Sequence, residues 1–134
     1  MQIETEDPHE TINNYKARID ERISRFFDRK EAETKDELSR RVIRMIRDYT
    51  EGGGKRLRPI FLILGYRLFS DENDAIFDAS ISIELAQSYL LIHDDVIDDS
   101  DLRRGRPSMH IRLWRSFFPA SEKGKKLGEG LAIV

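Results

Sequence analysis

The sequence contains no cysteine, which excludes disulfides, thiolate catalysis and cysteine-based zinc sites together. Its three histidines, His9, His93 and His110, lie far apart and lack the close pairing of a histidine-rich metal site. Net charge is almost absent as well: 23 lysines and arginines face 25 aspartates and glutamates, giving -2. No global field therefore draws the chain toward nucleic acid or an anionic membrane, and any electrostatic function must be local. The acidic, polar start MQIETEDPHE is unlike a signal or transit peptide. No apolar run reads as approaching the roughly 18 residues of a membrane span. Valine, threonine and aromatic alternation is scarce, so strand signals are weak. What remains is a soluble, cytoplasmic protein of one domain, with 134 residues to build a core.

Helical periodicity is abundant. Residues 1–9 read as a leader closed by Pro8, after which Ile12, Tyr15, Ile19, Ile23 and Phe26 mark an amphipathic helix from Glu10 to about Lys30. The charged stretch DRKEAETKDE reads as a turn. Leu38, Val42, Met45, Ile46 and Tyr49 then outline a second helix, ended by Gly52, Gly53 and Gly54. Pro59 suits the first turn of a third helix, Ile60 to about Phe69, whose apolar character on nearly every side predicts burial. A fourth helix is predicted from about Asp74 to Ser100, with ISIELAQSYLLI central to a bundle. Gly105 and Pro107 turn the chain into a short helix, Ser108 to about Phe117, and Leu127, Leu131 and Val134 open one more apolar stripe. The fold class is all-α, with helices packed antiparallel through short loops.

The fourth helix ends in Asp94, Asp95, Asp98, Asp99 and Asp101. Like charges at the end of an apolar helix repel and resist desolvation, so a positive counter-charge is expected there. Asp94 and Asp98 stand one turn apart on one face, with Asp95 on an adjoining one. Oxygen-only ligands at this spacing suit a hard cation, and Mg²⁺ fits best because it keeps sites for water and phosphate oxygens. From these residues alone, a solvated acidic helix end is an equal alternative. An EF-hand fails, since Arg104 and His110 stand where glycine and glutamate are needed. A Walker P-loop fails too, since Tyr49 occupies the first-glycine position of GGGKRLRP and Arg56 follows Lys55. That same segment sets Lys55, Arg56 and Arg58 beside free helix-start amides, a place for anions. Arg103 and Arg104 follow the aspartates with guanidinium groups suited to diphosphate oxygens. Taken singly, each basic segment favours a bland reading, a solvated loop or salt bridges from the arginines back to their own aspartates. Together with the acidic site they imply doubly anionic substrates.

GGGKRLRP and HDDVIDDSDLRRGRPSMH, in this order and separated by an apolar helix, resemble the GGKRxRP segment, the first aspartate-rich motif and the RRGxPxxH element of the trans-isoprenyl diphosphate synthases (polyprenyl synthetases). The resemblance covers at least Gly53 to His110. It implies a helical bundle of the isoprenoid synthase type and condensation of isopentenyl diphosphate with an allylic diphosphate. Under it, Asp94, Asp95 and Asp98 hold Mg²⁺, and Arg103 contacts the allylic diphosphate. Lys55, Arg58, Arg104 and Gln87 hold isopentenyl diphosphate, with Arg56 close by. Tyr89 and Leu90, the fifth and fourth residues before Asp94, limit product length. One aromatic there resembles the archaeal-type geranylgeranyl diphosphate synthases, with C15–C20 products. Helical geometry leaves core packing open for Tyr89, about 140° round from Asp94.

The resemblance also implies a second aspartate-rich motif, which these residues do not contain. Residues 1–134 thus read as the N-terminal portion of a synthase domain, inactive alone. A non-catalytic helical subunit or interaction module is the alternative. The expected partners are a second copy, as a dimer, or the complementing C-terminal part.

Overall fold

The computed structural model describes residues 7–134, so most of the expected leader lies outside the described residues. Six helices and one short hairpin follow in order: α1 Pro8–Glu33, α2 Glu37–Glu51, α3 Leu57–Arg67, α4 Asp74–Ile97, β1 Leu102–Arg103, β2 Arg106–Pro107, α5 Met109–Phe117 and α6 Gly124–Ile133. Pro8 and His9 already belong to α1, because the Asp7 carboxylate accepts the His9 N–H at 3.0 Å and proline suits the first turn. The stretch expected as a turn, residues 28–37, continues α1 to Glu33. Its charges are good helix formers and bind the next helix: Arg47 reaches Asp28 at 2.7 Å and Glu31 at 3.2 Å, and Arg44 reaches Glu31 at 3.0 Å. Asp36 then caps α2 through the Ser39 N–H at 2.7 Å.

Two apolar clusters hold the bundle. Tyr15, Ile19, Ile23 and Phe27 of α1, four residues apart, pack on Ile60 and Ile63 of α3 and on Ile76 and Phe77 of α4. Phe27 takes the buried place and the expected Phe26 packs at the margin. The second cluster joins Ile92 of α4 to Met109 and Leu113 of α5, covered by Val42, Met45 and Tyr49 of α2. Helix α4 touches all the other helices. It is the axis of the fold.

Several expectations about burial are corrected. Only one face of α3 is buried, through Pro59, Ile60 and Ile63, while Phe61, Leu64, Leu68 and Phe69 are exposed. In α6 the buried face is glycine rather than leucine. A Cβ on Gly124 would stand 2.2 Å from the Trp114 indole nitrogen, and one on Gly128 2.3 Å from the His110 carbonyl oxygen. Leu127, Leu131 and Val134 are exposed instead. Helix α4 does contain an 18-residue window of mean hydropathy 1.3, so one helix is long and apolar enough to cross a membrane. Its buried face nonetheless carries Ser80, Glu84, Ser88 and Asp95, the composition of a helix packed against polar partners. It also ends at Ile97, earlier than expected, since Asp98 is the cap and Asp99 turns left-handed at φ 49°.

The hairpin was not legible from strand propensity. Leu102 pairs with Pro107 and Arg103 with Arg106 around Arg104 and Gly105, both at positive φ (52° and 75°). Two left-handed central residues match the twist of a tight hairpin. Gly105 adopts this freely, whereas Arg104 does so at a cost of about 1 kcal/mol.

Candidate active site

The glycine segment after α2 and the start of α3 form the first wall. Gly53 and Gly54 hold φ of 120° and 151°. This turns Lys55 and Arg58 outward and sends Arg56 inward. Arg56 is 5% exposed: its Nε donates to Asp20 at 2.7 Å and its Nη1 to Glu84 at 2.8 Å and to the Thr50 carbonyl at 3.0 Å. Burial alone would raise the Asp20 carboxyl, but hydrogen bonds from Lys16 and Arg56 outweigh it and hold the group below its ordinary range. Arg56 therefore fixes the loop to α1 and α4 from beneath. It also lines the cleft above the loop, with both edges of its guanidinium already facing carboxylates.

Above Arg56 lies a cleft of about 190 Å³. Lys55, Arg58, Gln87, Arg103 and Arg104 all line it, so segments separated in sequence by α4 meet as expected. Arg104 donates to the Gly53 carbonyl, which ties the hairpin to the glycine loop. Arg106 and Arg112, which sequence reasoning missed, line the cleft as well. Arg112 is neutralised by Asp48 at 2.8 Å, but among the described residues Lys55, Arg58 and Arg106 have no carboxylate partner. A cleft with this much uncompensated positive charge suits a polyanion. The signal for Arg106 was present in RRGRP, directly after the arginine pair.

The five aspartates sort into three kinds. Asp99 and Asp101 share Lys125, at 2.6 and 2.9 Å. Asp99 also lies with His110 and Glu129 in a group whose ligand atoms fall within 4.8 Å, but the Lys125 ammonium already supplies its positive charge. Asp95 is 1% exposed; its Oδ1 accepts from Arg103 Nε at 2.7 Å and its Oδ2 from the Tyr49 hydroxyl at 3.1 Å. Burial, then the Asp95 charge, pushes the Tyr49 phenol well above its ordinary range. The hydrogen bond to Asp95 raises Arg103, which stays cationic. Asp95 is thus buried with both oxygens hydrogen-bonded, unlike its expected co-ligands Asp94 and Asp98. Asp94 and Asp98 remain, exposed and without ion-pair partners among the described residues. Neither lines the cleft. Arg103 and Tyr49 touch both regions, each bonded to Asp95 at the α4 end and each lining the cleft.

Tyr89 is 58% exposed, its ring 4.1 Å from that of His93, and it belongs to neither core cluster of the described residues. Leu90 is exposed one helical turn below Asp94, and Leu91 lines the cleft. Apolar surface thus lies beneath the free carboxylates.

Known proteins share this arrangement of chain. The family model described as polyprenyl synthetase matches residues 39–131. A short chain isoprenyl diphosphate synthase of Methanocaldococcus jannaschii is 42% identical over 59 residues, covering 44% of this chain and 18% of that protein. A farnesyl diphosphate synthase of Geobacillus stearothermophilus is 32% identical over 125 residues, covering 92% of this chain and 35% of that protein. Among solved structures, the geranylgeranyl pyrophosphate synthase of Corynebacterium glutamicum, complexed with isoprenyl diphosphate and magnesium, superposes with a TM-score of 0.77 at 28% identity. That match covers 91% of this chain and 37% of the other. The chain thus spans well under half the length of these relatives. With the family model extending from α2 into α6, over both the basic cleft and the aspartate-bearing end of α4, the chain belongs to the polyprenyl synthetase family.

Proposed function

We propose that this chain carries the first aspartate-rich half of a short-chain prenyl diphosphate synthase, which joins isopentenyl diphosphate to an allylic diphosphate. One observation carries this: Arg103 lines a cleft of cations that lack carboxylate partners and also pairs with Asp95, between the exposed Asp94 and Asp98 in sequence. Lys55, Arg58, Arg104 and Gln87, joined by Arg106, hold the isopentenyl diphosphate. Arg103 holds the leaving diphosphate of the allylic substrate. Asp94 and Asp98 offer exposed oxygen ligands one turn apart, a donor set that fits Mg²⁺. When bound there, Mg²⁺ supplies the charge that stabilises the departing diphosphate. The allylic C–O bond breaks, the homoallylic double bond attacks the carbocation, and a proton leaves the new chain. The protein contributes charge and position rather than a nucleophile. Leu90 and Leu91 give the cation apolar surroundings that exclude water.

Tyr89 and Leu90 set the floor that limits products to about C15–C20, as the short-chain relatives suggest. Replacing Tyr89 by alanine in a complete synthase carrying this segment lengthens the product on thin-layer analysis; an unchanged length contradicts that role. The location is cytoplasmic. The partner is a second copy or a complementing C-terminal part. A relative named heptaprenyl diphosphate synthase component 2, 41% identical over 68 residues, favours a two-component arrangement as the second possibility. The exposed residues of α3 and the turn after it, Phe61, Leu64, Leu68 and Phe69, are the apolar surface such a partner covers.

The test is calorimetric titration of the chain with isopentenyl diphosphate in the absence of metal. Binding that Lys55→Ala/Arg58→Ala abolishes supports the assignment; absence of binding, or binding indifferent to both residues, overturns it. Labelled isopentenyl diphosphate and an allylic partner give no product with these residues alone, which supply a single aspartate-rich wall. Turnover by the purified chain contradicts that.

A further inference from the structure

In sequence, Tyr49 is one apolar position of the α2 stripe. In the fold its ring belongs to the second core cluster, packed against Ile92, Met109 and Leu113, while its hydroxyl leaves that cluster to meet Asp95. Asp95 is a buried carboxylate with two claims on it. Arg103 Nε and Nη2 both lie 2.7 Å from Oδ1, and the Tyr49 hydroxyl donates to Oδ2 at 3.1 Å. A carboxylate free to rotate about its Cβ–Cγ bond could present either oxygen to the arginine. Fixing one oxygen fixes the other. The guanidinium is thereby held by one edge, and Nη1 is left without a protein partner among the described residues.

We infer that Tyr49 is a positioning residue of the diphosphate site: its hydroxyl locks the Asp95 carboxylate, which in turn holds the Arg103 guanidinium in place for the ligand's oxygens and stays out of the metal shell. This rests on the function proposed above for Arg103, and it adds a residue on α2 to a site otherwise built from α4 and the hairpin. It also explains why a buried carboxylate next to Asp94 is tolerated. Two donors satisfy it, a neutral hydroxyl and a full cation. The hydroxyl and the arginine act in series rather than independently. Double-mutant logic separates these cases.

Tyr49→Phe removes only the hydroxyl and keeps the ring in its cluster. The probe is inorganic pyrophosphate with saturating Mg²⁺, titrated into the chain lacking Lys55 and Arg58, so that only the α4 side is read. Tyr49→Phe is expected to weaken binding about fivefold. Arg103→Gln weakens it more, and the double variant is no weaker than Arg103→Gln alone. Unchanged affinity in Tyr49→Phe, or losses that simply multiply in the double variant, overturns the inference. A second readout needs no ligand. The Arg103 Nε–H, donated to a buried carboxylate, gives a slowly exchanging ¹⁵N resonance that accelerates about tenfold or more in Tyr49→Phe. If the parent chain binds no pyrophosphate, the proposed function fails while this resonance still decides whether Tyr49 holds the pair. Unaltered exchange in Tyr49→Phe rejects the positioning role on its own.

Discussion

Arg56 and Arg58 stand two residues apart in one motif and have opposite fates. Arg56 is buried between Asp20 and Glu84, fully compensated; Arg58 is exposed at the cleft and forms no ion pair among the described residues. The region beneath the glycine loop is a closed ionic network. The region above it is a cleft with excess positive charge. The difference separates what a charge does for the fold from what it offers a ligand. Compensation by protein carboxylates marks the first, and its absence the second.

The largest expected effect comes from breaking the closed side. Arg56→Met leaves Glu84 buried without a cation and is expected to lower unfolding free energy by about 3 kcal/mol in urea titration. Arg58→Met, on the same loop, changes it by less than about 0.5 kcal/mol. Removing the uncompensated partner as well, in Arg56→Met/Glu84→Met, restores most of the loss; a further loss would mean the network contributes more than charge balance.

On the open side the order reverses. Arg58→Met is expected to weaken metal-free pyrophosphate binding about tenfold, or roughly 1.4 kcal/mol, and Arg106→Gln about threefold, as read by calorimetry. Equal affinities in all three proteins would show that the free cations are merely solvated. The aspartates allow a finer version of the same contrast. Asp94→Asn is expected to weaken Mg²⁺ binding severalfold, whereas Asp99→Asn, whose partner is Lys125, leaves it within twofold. A larger loss at Asp99 would move the metal to the wrong end of the cluster.

The smallest effect is the dependence of stability on pH. Asp20 is held below its ordinary 3.8 and Glu72 below its ordinary 4.5; in both, burial pulls the other way and hydrogen bonds from basic or hydroxyl groups prevail. A depressed folded pKa means the stabilisation is present above the ordinary value and disappears as pH falls through the folded one. The urea midpoint is therefore expected to hold from pH 7 to about 5 and to decline below about 4. A midpoint that rises on acidification would contradict the pairing.

The motifs were legible because their residue types are tied to chemistry at short range: glycines before a helix, carboxylates one turn apart, an arginine pair. The residues they single out, Lys55, Arg58, Gln87, Arg103 and Arg104, line one cleft. Spacing could not tell Arg56 from Arg58, because their difference depends on Asp20 and Glu84, contributed by helices distant in sequence. Nor could it sort Asp94, Asp95 and Asp98, since the partner of Asp95 on α2 is a tyrosine that periodicity assigns to the core. Apolar composition also misjudged burial in α3 and α6. In α6 close approach to α5 selects Gly124 and Gly128 for the inner face and leaves the leucines outside. The hairpin was missed because backbone conformation at Arg104 and Gly105, rather than strand propensity, creates it.

The central claim is that Arg103 stands between two anion positions, one served by cations and one by metal-binding carboxylates. Counting bound pyrophosphate per chain, by calorimetry without and then with Mg²⁺, tests it most directly. One equivalent without metal and two with it are predicted, the first lost in Lys55→Ala/Arg58→Ala and the second in Asp94→Asn/Asp98→Asn. A stoichiometry that Mg²⁺ does not change, or a single site lost in both variants alike, would contradict it.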